Sequence, residues 1–487
     1  DAGTATDSSS NSAPASAASA TFAVDNTAPT VTIGAPSAGI TRGGPVTYTI
    51  TYADANFNTS TLTTANVTLN QNGSATGSVA LTGSGTSYVV TISAITGSGS
   101  LSISIPAGTA TDLAGTSAPA AASAAFTVDN TPPAIAIGSP SSSFAAGGPV
   151  TFAVTYADAN FSASTLTAAN VSLNTTGSAT GTVSLAGSGT SYTVTVSALT
   201  GDGTIWISIV AATASDLAGN PAPAATSSTF TVDNSVPAPT ISAPSSSYSR
   251  TGPVTYTVTY TDVNFSASTL AAANVTLHRT SSANGSITVT GTGNARTITI
   301  SSITGNGTLG LSIAQGTASD LAGNLAPAAG PSTTFTVDDT VPTVTIGAPS
   351  SAVANAGPVS YAVTYADANF SASTLAAGAV TLNPTGSANA LVAVTGSGTA
   401  YTVTLSSITG NGTLGISLAA GTATDLAGNS AAAAGPSTTF SVDNTAPTVT
   451  VGAPSSSFAS VGPVSYAVTY ADASFNTSSL VAANVTL

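Results

Sequence analysis

Aspartate side chains recur at three fixed positions along this sequence. Fifteen of the 18 acidic residues lie there, counting Asp7 in an incomplete first copy. The first position follows a valine, at Asp25, Asp129, Asp233, Asp338 and Asp443. The second follows Tyr-Ala or Tyr-Thr, at Asp54, Asp158, Asp262, Asp367 and Asp472. The third begins Asp-Leu-Ala-Gly, at Asp112, Asp216, Asp320 and Asp425. Carboxylates are hard oxygen ligands, so such regular placement indicates a recurring cation site or a recurring turn.

The spacing of the valine-linked aspartates defines an internal repeat. Consecutive copies are 104, 104, 105 and 105 residues apart, a normal length for one domain. We therefore predict complete modules at 25–128, 129–232, 233–337 and 338–442, with partial modules at 1–24 and 443–487. Because the sequence begins and ends inside a module, we expect it to be part of a longer polypeptide.

Within a module, the hydrophobic pattern is that of β-strands. In the second module, apolar residues alternate with small or polar ones at Val150, Phe152, Val154 and Tyr156. Similar runs recur between clusters of Gly, Ser, Asn and Pro, and only a short helical turn fits, within 162–170. The pattern predicts an all-β fold, a tandem array of immunoglobulin-like β-sandwich modules of about 104 residues with strands A to G.

That topology would bring the three aspartates of each module together. In an immunoglobulin-like sandwich, the B–C and F–G loops lie at one end, beside the start of strand A. The first aspartate precedes strand A, the second lies in the B–C loop and the third in the F–G loop. Carboxylates at close range repel one another unless a cation lies between them. An all-oxygen site of flexible geometry favours Ca²⁺ over Mg²⁺ or Zn²⁺.

We predict that neighbouring asparagines add neutral oxygen ligands to these carboxylates. The predicted Ca²⁺ ligands are Asp25, Asn26, Asp54, Asn56 and Asp112; Asp129, Asn130, Asp158, Asn160 and Asp216; Asp233, Asn234, Asp262, Asn264 and Asp320; Asp338, Asp339, Asp367, Asn369 and Asp425; and Asp443, Asn444 and Asp472. The alternative is that these residues form turns and linkers without a metal, because Asp and Asn favour loops.

The phrases Thr-Ala-Thr-Asp-Leu-Ala-Gly-Asn and Thr-Phe-Ser-Val-Asp-Asn-Thr-Ala-Pro-Thr, within 422–448, resemble bacterial Ig-like repeats of large secreted surface adhesins. The resemblance covers essentially the whole chain. It implies a cadherin-like array that is extracellular, elongated, non-enzymatic and often stiffened by Ca²⁺ near domain junctions. Three positions depart from the pattern, because Thr116 and Ser474 replace asparagines and Asp339 replaces the Asn after Asp338.

Composition argues against several other classes of protein. The formal charge is −14 with four Lys+Arg, which argues against a nucleic-acid or anionic-membrane partner. No apolar run approaches the ~20 residues that a spanning helix needs, so we expect no membrane insertion. With no Cys there is no thiolate nucleophile and no disulfide framework. The only histidine, His278, fits a surface position better than a general base. We therefore predict that the chain is not an enzyme.

Three functional hypotheses remain open at this point. The first is an extended extracellular stalk segment of a bacterial surface adhesin, with neighbouring modules of the same chain as partners and calcium at the module junctions. The second is the structural repeat of a self-assembling extracellular filament, sheath or surface layer, in which identical chains are the partners. The third is a spacer attached to a secreted enzyme.

Overall fold

The computed structural model describes residues 1–486, and chain contacts divide it into two compact units. The first unit is Asp1–Asn234, and the second begins at Ser235. In each unit, two complete β-sandwiches follow one another, and each sandwich is built from paired sheets. The prediction of an all-β tandem array of immunoglobulin-like sandwiches is confirmed by this architecture.

The first unit contains two sandwiches, one with its strands within 30–128 and one with its strands within 134–232. The strands of the first sandwich are β1 (Thr30–Ile33), β2 (Ile40–Thr41), β3 (Val46–Ala53), β4 (Phe57–Ser60), β5 (Thr68–Gly73), β6 (Thr76–Ser84), β7 (Ser87–Thr96), β8 (Gly99–Ile105), β9 (Ala110–Asp112), β10 (Ala121–Ala122) and β11 (Phe126–Val128). Those of the second are β12 (Ala134–Ile137), β13 (Phe144–Ala145), β14 (Val150–Ala157), β15 (Phe161–Ser164), β16 (Val171–Thr175), β17 (Thr180–Ser188), β18 (Ser191–Thr200), β19 (Gly203–Ile209), β20 (Ala214–Asp216), β21 (Ala225–Thr226) and β22 (Phe230–Val232).

The second unit repeats the same order of strands with ten in each complete sandwich, and isolated bridges of Ile313 with Ala329 and of Leu418 with Ala434 stand at the positions of β10 and β21. Its first sandwich has β23 (Ala238–Ile241), β24 (Tyr248–Ser249), β25 (Val254–Thr261), β26 (Phe265–Ser268), β27 (Val275–Arg279), β28 (Asn284–Thr290), β29 (Ala295–Thr304), β30 (Gly307–Ile313), β31 (Ala318–Asp320) and β32 (Phe335–Val337). Next come β33 (Thr343–Pro349), β34 (Val353–Ala354), β35 (Val359–Ala366), β36 (Phe370–Ser373), β37 (Val380–Pro384), β38 (Asn389–Ser397), β39 (Ala400–Thr409), β40 (Gly412–Leu418), β41 (Ala423–Asp425) and β42 (Phe440–Val442), followed by β43 (Thr448–Val451) and β44 (Val468–Ala471).

The second sandwich shows the sheet topology that all four share. One sheet has the order β12-β14-β18-β17, and the other has β13-β22-β19-β16. In immunoglobulin lettering these are strands A, B, E and D against strands A′, G, F and C. Strand A′ pairs in parallel with strand G, whereas the other pairs are antiparallel. This arrangement places the B–C and F–G connections at one end of the sandwich.

Alternation of side chains along the strands builds the core of each sandwich. On strand B of the second module, Val150, Phe152, Val154 and Tyr156 are all buried, while the residues between them face outward or lie half-buried. They pack with the inward residues of strands E, F and G into one hydrophobic cluster. The other three complete modules have equivalent clusters of their own. Period-2 alternation therefore determined the buried face.

Two short elements lie within the B–C connection and position its loop. The predicted helical turn is a 3-10 turn at Ala168–Asn170, with equivalents at Thr64–Asn66, Ala272–Asn274, Ala377–Ala379 and Ala482–Asn484. Before it, β15 pairs with β20 of the F–G connection in a two-stranded sheet outside the main sandwich. The same small sheet recurs as β4–β9, β26–β31 and β36–β41. It ties the B–C and F–G connections together.

Candidate metal centre

The structure gathers the three aspartates of a module at one end of the sandwich. Asp129 precedes strand A, Asp158 directly follows strand B, and Asp216 is the last residue of β20. One carboxylate oxygen from each lies within 4.8 Å of the other two. The same grouping joins Asp25, Asp54 and Asp112 in the first module, and Asp338, Asp367 and Asp425 in the fourth. We call each such set a carboxylate triad.

The third module has the same residues, but the division between the two units separates them. Asp233 belongs to the first unit, and Asp262 and Asp320 belong to the second. Within the second unit, the backbone amide of Asn264 donates to Asp262 Oδ1 at 2.7 Å. Asn324 donates to Asp320 from both its backbone and its side chain, at 2.8 and 2.7 Å. The local geometry of both loops therefore matches that of the other modules.

Each aspartate of a triad also closes a local turn with one of its oxygens. In the second module, the amide of Thr131 donates to Asp129 Oδ1 at 3.0 Å, and the amide of Asn160 donates to Asp158 Oδ1 at 2.7 Å. These are Asx turns, as the metal-free interpretation of the sequence expects. Turn formation uses Oδ1 of Asp129 and of Asp158, and leaves the Oδ2 atoms of these two carboxylates for other contacts.

The small sheet of β15 and β20 determines where the third aspartate lies. Phe161 pairs with Asp216 in its register, and the amide of Leu217 donates to the carbonyl of Asn160 at 2.8 Å. Asp216 is only 3% exposed at the end of this ladder. Nothing in the period-2 pattern indicates this pairing, because Phe-Ser-Ala-Ser contains a single large apolar residue.

The asparagines of the B–C loops lie beside the triads as hydrogen-bond donors. Asn160 Nδ2 donates to Asp129 Oδ2 at 2.7 Å, Asn56 donates to Asp25 at 2.8 Å, and Asn369 donates to Asp338 at 2.6 Å. The sequence predicts oxygen ligands at these positions, whereas the amide nitrogen faces the carboxylate here. The contact ties the valine-linked aspartate, which we call the linker aspartate, to the B–C loop.

An asparagine outside the predicted ligand set completes the site. Asn220 Nδ2 donates to Asp216 Oδ2 at 2.6 Å and to the backbone carbonyl of Asp129 at 2.8 Å. Asn429 makes the same two bonds to Asp425 and Asp338. Both asparagines are buried. Their recurrence four residues after the third aspartate was the sequence signal that could have identified them.

Two buried oxygen atoms at these sites have no hydrogen-bond partner. Asp112 Oδ2 belongs to a carboxylate that is 1% exposed, and Asn429 Oδ1 belongs to an amide that is fully buried. In the first module Thr116 occupies the place of Asn220, so Asp112 lacks the side-chain donor that Asp216 has. A buried oxygen without a partner is costly, and a bound cation would satisfy it. The donor set therefore fits a hard divalent ion.

Three arginines direct their side-chain hydrogen bonds to neutral acceptors and not to a triad. Arg42 donates to the carbonyl of Gly219, Arg279 to the amide oxygen of Asn284, and Arg296 to the carbonyls of Ser268 and Leu270. All four acceptors are neutral. Two carboxylates ~5 Å apart repel by about 3 kcal/mol at an effective dielectric constant of about 20. A divalent cation would convert this repulsion into attraction.

Hydrogen bonds favour the ionised form of two linker aspartates, Asp25 and Asp443. The side chain of Asn56 and the amide of Thr27 hold the pKa of Asp25 below its ordinary value. The pKa of Asp443 is lowered by the amide of Thr445 and the side chain of Ser474. Both carboxylates are therefore charged at neutral pH, as cation binding requires.

The linker between two modules begins with the valine-linked aspartate, and we call the next residue the second linker residue. The side chains of Asn130, Asn234 and Asn444 donate to glycine carbonyls of the preceding module, at Gly97, Gly201 and Gly410. Asp339 accepts from the amide of Gly305 and is not part of the triad of Asp338. Asn26, at the same repeat position, is exposed. The hypothesis that these five residues are ligands therefore has no support from their contacts.

The partial module at the end of the sequence has two of the three aspartates. Asp443 and Asp472 line one cleft together with Asn355. The amide of Ser474 donates to Asp472 Oδ1 at 2.7 Å, so a serine replaces the asparagine without loss of the Asx turn.

Comparison with known proteins gives structural likenesses only. No family model and no curated protein matches the chain. The solved structures similar to it include FdeC, an Escherichia coli adhesin, at 19% identity and a TM-score of 0.30, covering 65% of this chain and 99% of that one. The I9–I11 tandem of titin matches at 10% identity and a TM-score of 0.23, covering 61% of this chain and 97% of that one. The S-layer protein rSbsC(31-844) matches at 16% identity and a TM-score of 0.22, covering 91% of this chain and 63% of that one. These values assign the chain to no family.

Helices contribute little to the described residues. Across 1–486, none is long and apolar enough to cross a membrane.

Proposed function

We propose that this chain is a segment of an extended extracellular stalk of a bacterial surface adhesin, with Ca²⁺ bound by the carboxylate triads at the module junctions. The observation that supports it best is the triad itself, three oxygen ligands within 4.8 Å that include a linker residue. Extracellular fluid holds enough Ca²⁺ for sites of modest affinity, with Kd roughly 10⁻⁴–10⁻³ M. The sequence resemblance to adhesin repeats supports the same role.

The mechanism we propose acts through the linker aspartate. The backbone amide of Asp129 donates to the carbonyl of Thr41 in the preceding module, at 2.9 Å. Its side chain faces Asp158 and Asp216 of the following module. A cation held by all three carboxylates would resist any movement of the linker away from the B–C and F–G loops. Bending the junction would then cost coordination energy, and the junction would be stiff.

Calorimetric titration and thermal unfolding test this proposal on the whole chain. We expect Ca²⁺ to bind at several equivalent sites and to raise the melting temperature, and Mg²⁺ to act more weakly because it prefers strict octahedral geometry. At a concentration about 100 times Kd, each site contributes about 2.7 kcal/mol of stability. Identical melting curves in Ca²⁺ and in EGTA, with no heat of binding, would refute the calcium site.

A second candidate function is the structural repeat of a self-assembling filament, sheath or surface layer. The edge strands favour it, because strand D ends one sheet of every complete module and carries no charged residue at β6, β17, β28 or β38. Natural edge strands usually carry charges that prevent edge-to-edge pairing. Leu391 on β38 is also 65% exposed.

Sedimentation distinguishes the two candidates. Lysine at four outward positions of strand D, at Ala80, Ser184, Thr288 and Ala393, should prevent assembly of a filament-forming chain. A stalk segment sediments as a monomer with or without these substitutions. Concentration-dependent assembly that the lysines abolish would favour the filament.

A further inference from the structure

The turn between strands E and F is held rigid in every complete module. In the first module, Gly97 and Gly99 have φ of 77° and 146°, which favour glycine. A Cβ at Gly97 would collide with the carbonyl oxygen of Ser74. Ser74 also braces the turn, because its hydroxyl accepts from the amide of Ser98 at 3.0 Å. The turn therefore offers a fixed surface.

The same brace recurs in the other complete modules. The amides of Asp202, Asn306 and Asn411 donate to the hydroxyls of the corresponding serines, each at 3.0 Å, and these serines are Ser178, Ser282 and Ser387. Each turn also begins with a glycine at positive φ, at Gly201, Gly305 and Gly410. A surface repeated with this geometry can receive the same partner at each junction.

The second linker residue binds that surface through two hydrogen bonds. Asn234 Nδ2 donates to the carbonyl of Gly201 at 2.8 Å, and its backbone amide donates to Asp202 Oδ1 at 2.7 Å. Asn444 contacts Gly410 and Asn411 in the same way, at 2.7 and 2.6 Å. We call the pair formed by the second linker residue and the E–F turn the linker clamp.

The linkers that contain Asn130 and Asp339 retain the clamp with different chemistry. Asn130 Nδ2 donates to the carbonyl of Gly97 at 2.5 Å, and its amide donates to Ser98 Oγ at 3.2 Å. At Asp339 the side chain has no donor, and its Oδ2 instead accepts from the amide of Gly305 at 2.9 Å. The backbone amide of Asp339 still donates to Asn306 Oδ1, at 2.7 Å. The contact therefore tolerates a change of charge.

Consecutive linker residues are thus held in opposite directions. Asp129 points its carboxylate into the triad of the following module, and Asn130 binds the E–F turn of the preceding one. A single peptide unit, about 3.8 Å between Cα atoms, separates the two anchors. Little slack is left between them, so rotation of one module against the next must break a contact.

We infer that the E–F turn is the docking surface for the linker of the next module, and that the linker clamp holds the junction whether or not a cation is bound. The inference does not require the calcium site. The second linker residues are positioning residues for the junction and leave metal binding to the triads.

Spin labels on the first two modules test the clamp. Because the chain has no cysteine, Thr86→Cys and Thr190→Cys give unique labels at exposed, equivalent D–E turn positions. Asn130→Ala and, independently, Ser98→Ala each remove part of the clamp. In EGTA, we expect each to increase the population of open junctions roughly five-fold or more, seen as a broader distance distribution. Asn26→Ala is the matched control and should leave the distribution unchanged.

Calcium titration separates this inference from the proposed function. Asn130→Ala should change the Ca²⁺ affinity by less than about two-fold, because its side chain contacts the preceding module. If the unsubstituted chain binds no Ca²⁺, the proposed function fails while the measurement in EGTA still tests the clamp. Distance distributions in EGTA that are the same for Asn130→Ala, Ser98→Ala and the unsubstituted chain would overturn the clamp.

Discussion

The side-chain amide of Asn220 donates a hydrogen bond of 2.8 Å to the backbone carbonyl of Asp129, across 91 residues of sequence. The same nitrogen donates to Asp216 Oδ2. One buried amide therefore joins the linker to the F–G loop. This link is independent of any cation, and it prearranges two of the three carboxylates of the triad.

Removing this amide should destabilise the second module. Asn220→Ala leaves the carbonyl of Asp129 and Asp216 Oδ2 without their shared donor, and we expect a cost of about 1–3 kcal/mol. Thr116→Asn should instead stabilise the first module, because it supplies the missing donor to Asp112 Oδ2. Hydrogen exchange measured on peptides of β20 and β9 should show opposite changes in protection. Equal, small effects of both substitutions would contradict this role.

A triad should respond in opposite ways to loss of charge with and without calcium. Asp158→Asn keeps an oxygen for the Asx turn of Asn160 but removes one negative charge. We expect Ca²⁺ affinity at that site to fall on the order of ten-fold, since affinity follows ligand charge. In EGTA, relief of repulsion should leave the melting temperature unchanged or higher. Asp1→Asn, outside the triads, is the control, and calorimetric titration with melting curves measures both effects.

A buried tyrosine–threonine hydrogen bond offers a test within the core. Tyr156 and Thr213 are joined by a hydrogen bond of 2.7 Å, whereas the equivalent hydroxyls of Tyr365 and Thr422 have no partner. Thr213→Val should destabilise its module by about 1–2 kcal/mol, because the tyrosine hydroxyl loses its partner. Thr422→Val should be neutral or stabilising. Chemical denaturation monitored by hydrogen exchange measures the stability of each module. Equal losses of stability in the two variants would refute the predicted difference between Thr213→Val and Thr422→Val.

The lowered pKa of Asp25 predicts a pH dependence with a definite sign. Since the folded-state pKa is below the unfolded value, this carboxylate contributes stability above the unfolded pKa, and the contribution is lost as pH falls through the lowered folded pKa. Asn56→Ala should raise the pKa of Asp25, because the largest cause of its shift is removed. NMR titration of the carboxyl carbon in EGTA measures it. Asn11→Ala should instead raise the pKa of Asp7 and serves as the control.

Much of the fold was predictable because its signals are local. The alternation at Val150, Phe152 and Val154 specifies a strand with one buried face, and the structure buries those side chains. The small sheet of β15 and β20 was not predictable, since Phe161–Ser164 has neither alternation nor strong β-propensity beyond its phenylalanine. Its pairing depends on a partner strand that the fold brings alongside.

The candidate site was likewise predictable in part from the sequence. The regular spacing of Asp129, Asp158 and Asp216, combined with the expected topology, placed them at one end of a sandwich. The direction of each asparagine could not be derived, because Asn130 and Asn160 are the same residue type next to similar turns. One binds Gly97 of the preceding module, and the other binds Asp129.

The sequence by itself determined the repeat, the strand pattern and which carboxylates belong to each module, because periodicity and spacing are properties of the chain alone. Only the tertiary structure decided that one linker residue faces forward to a triad and the next faces back to an E–F turn. That choice depends on which donors and acceptors lie within hydrogen-bonding distance, and the distances arise only when remote segments pack together.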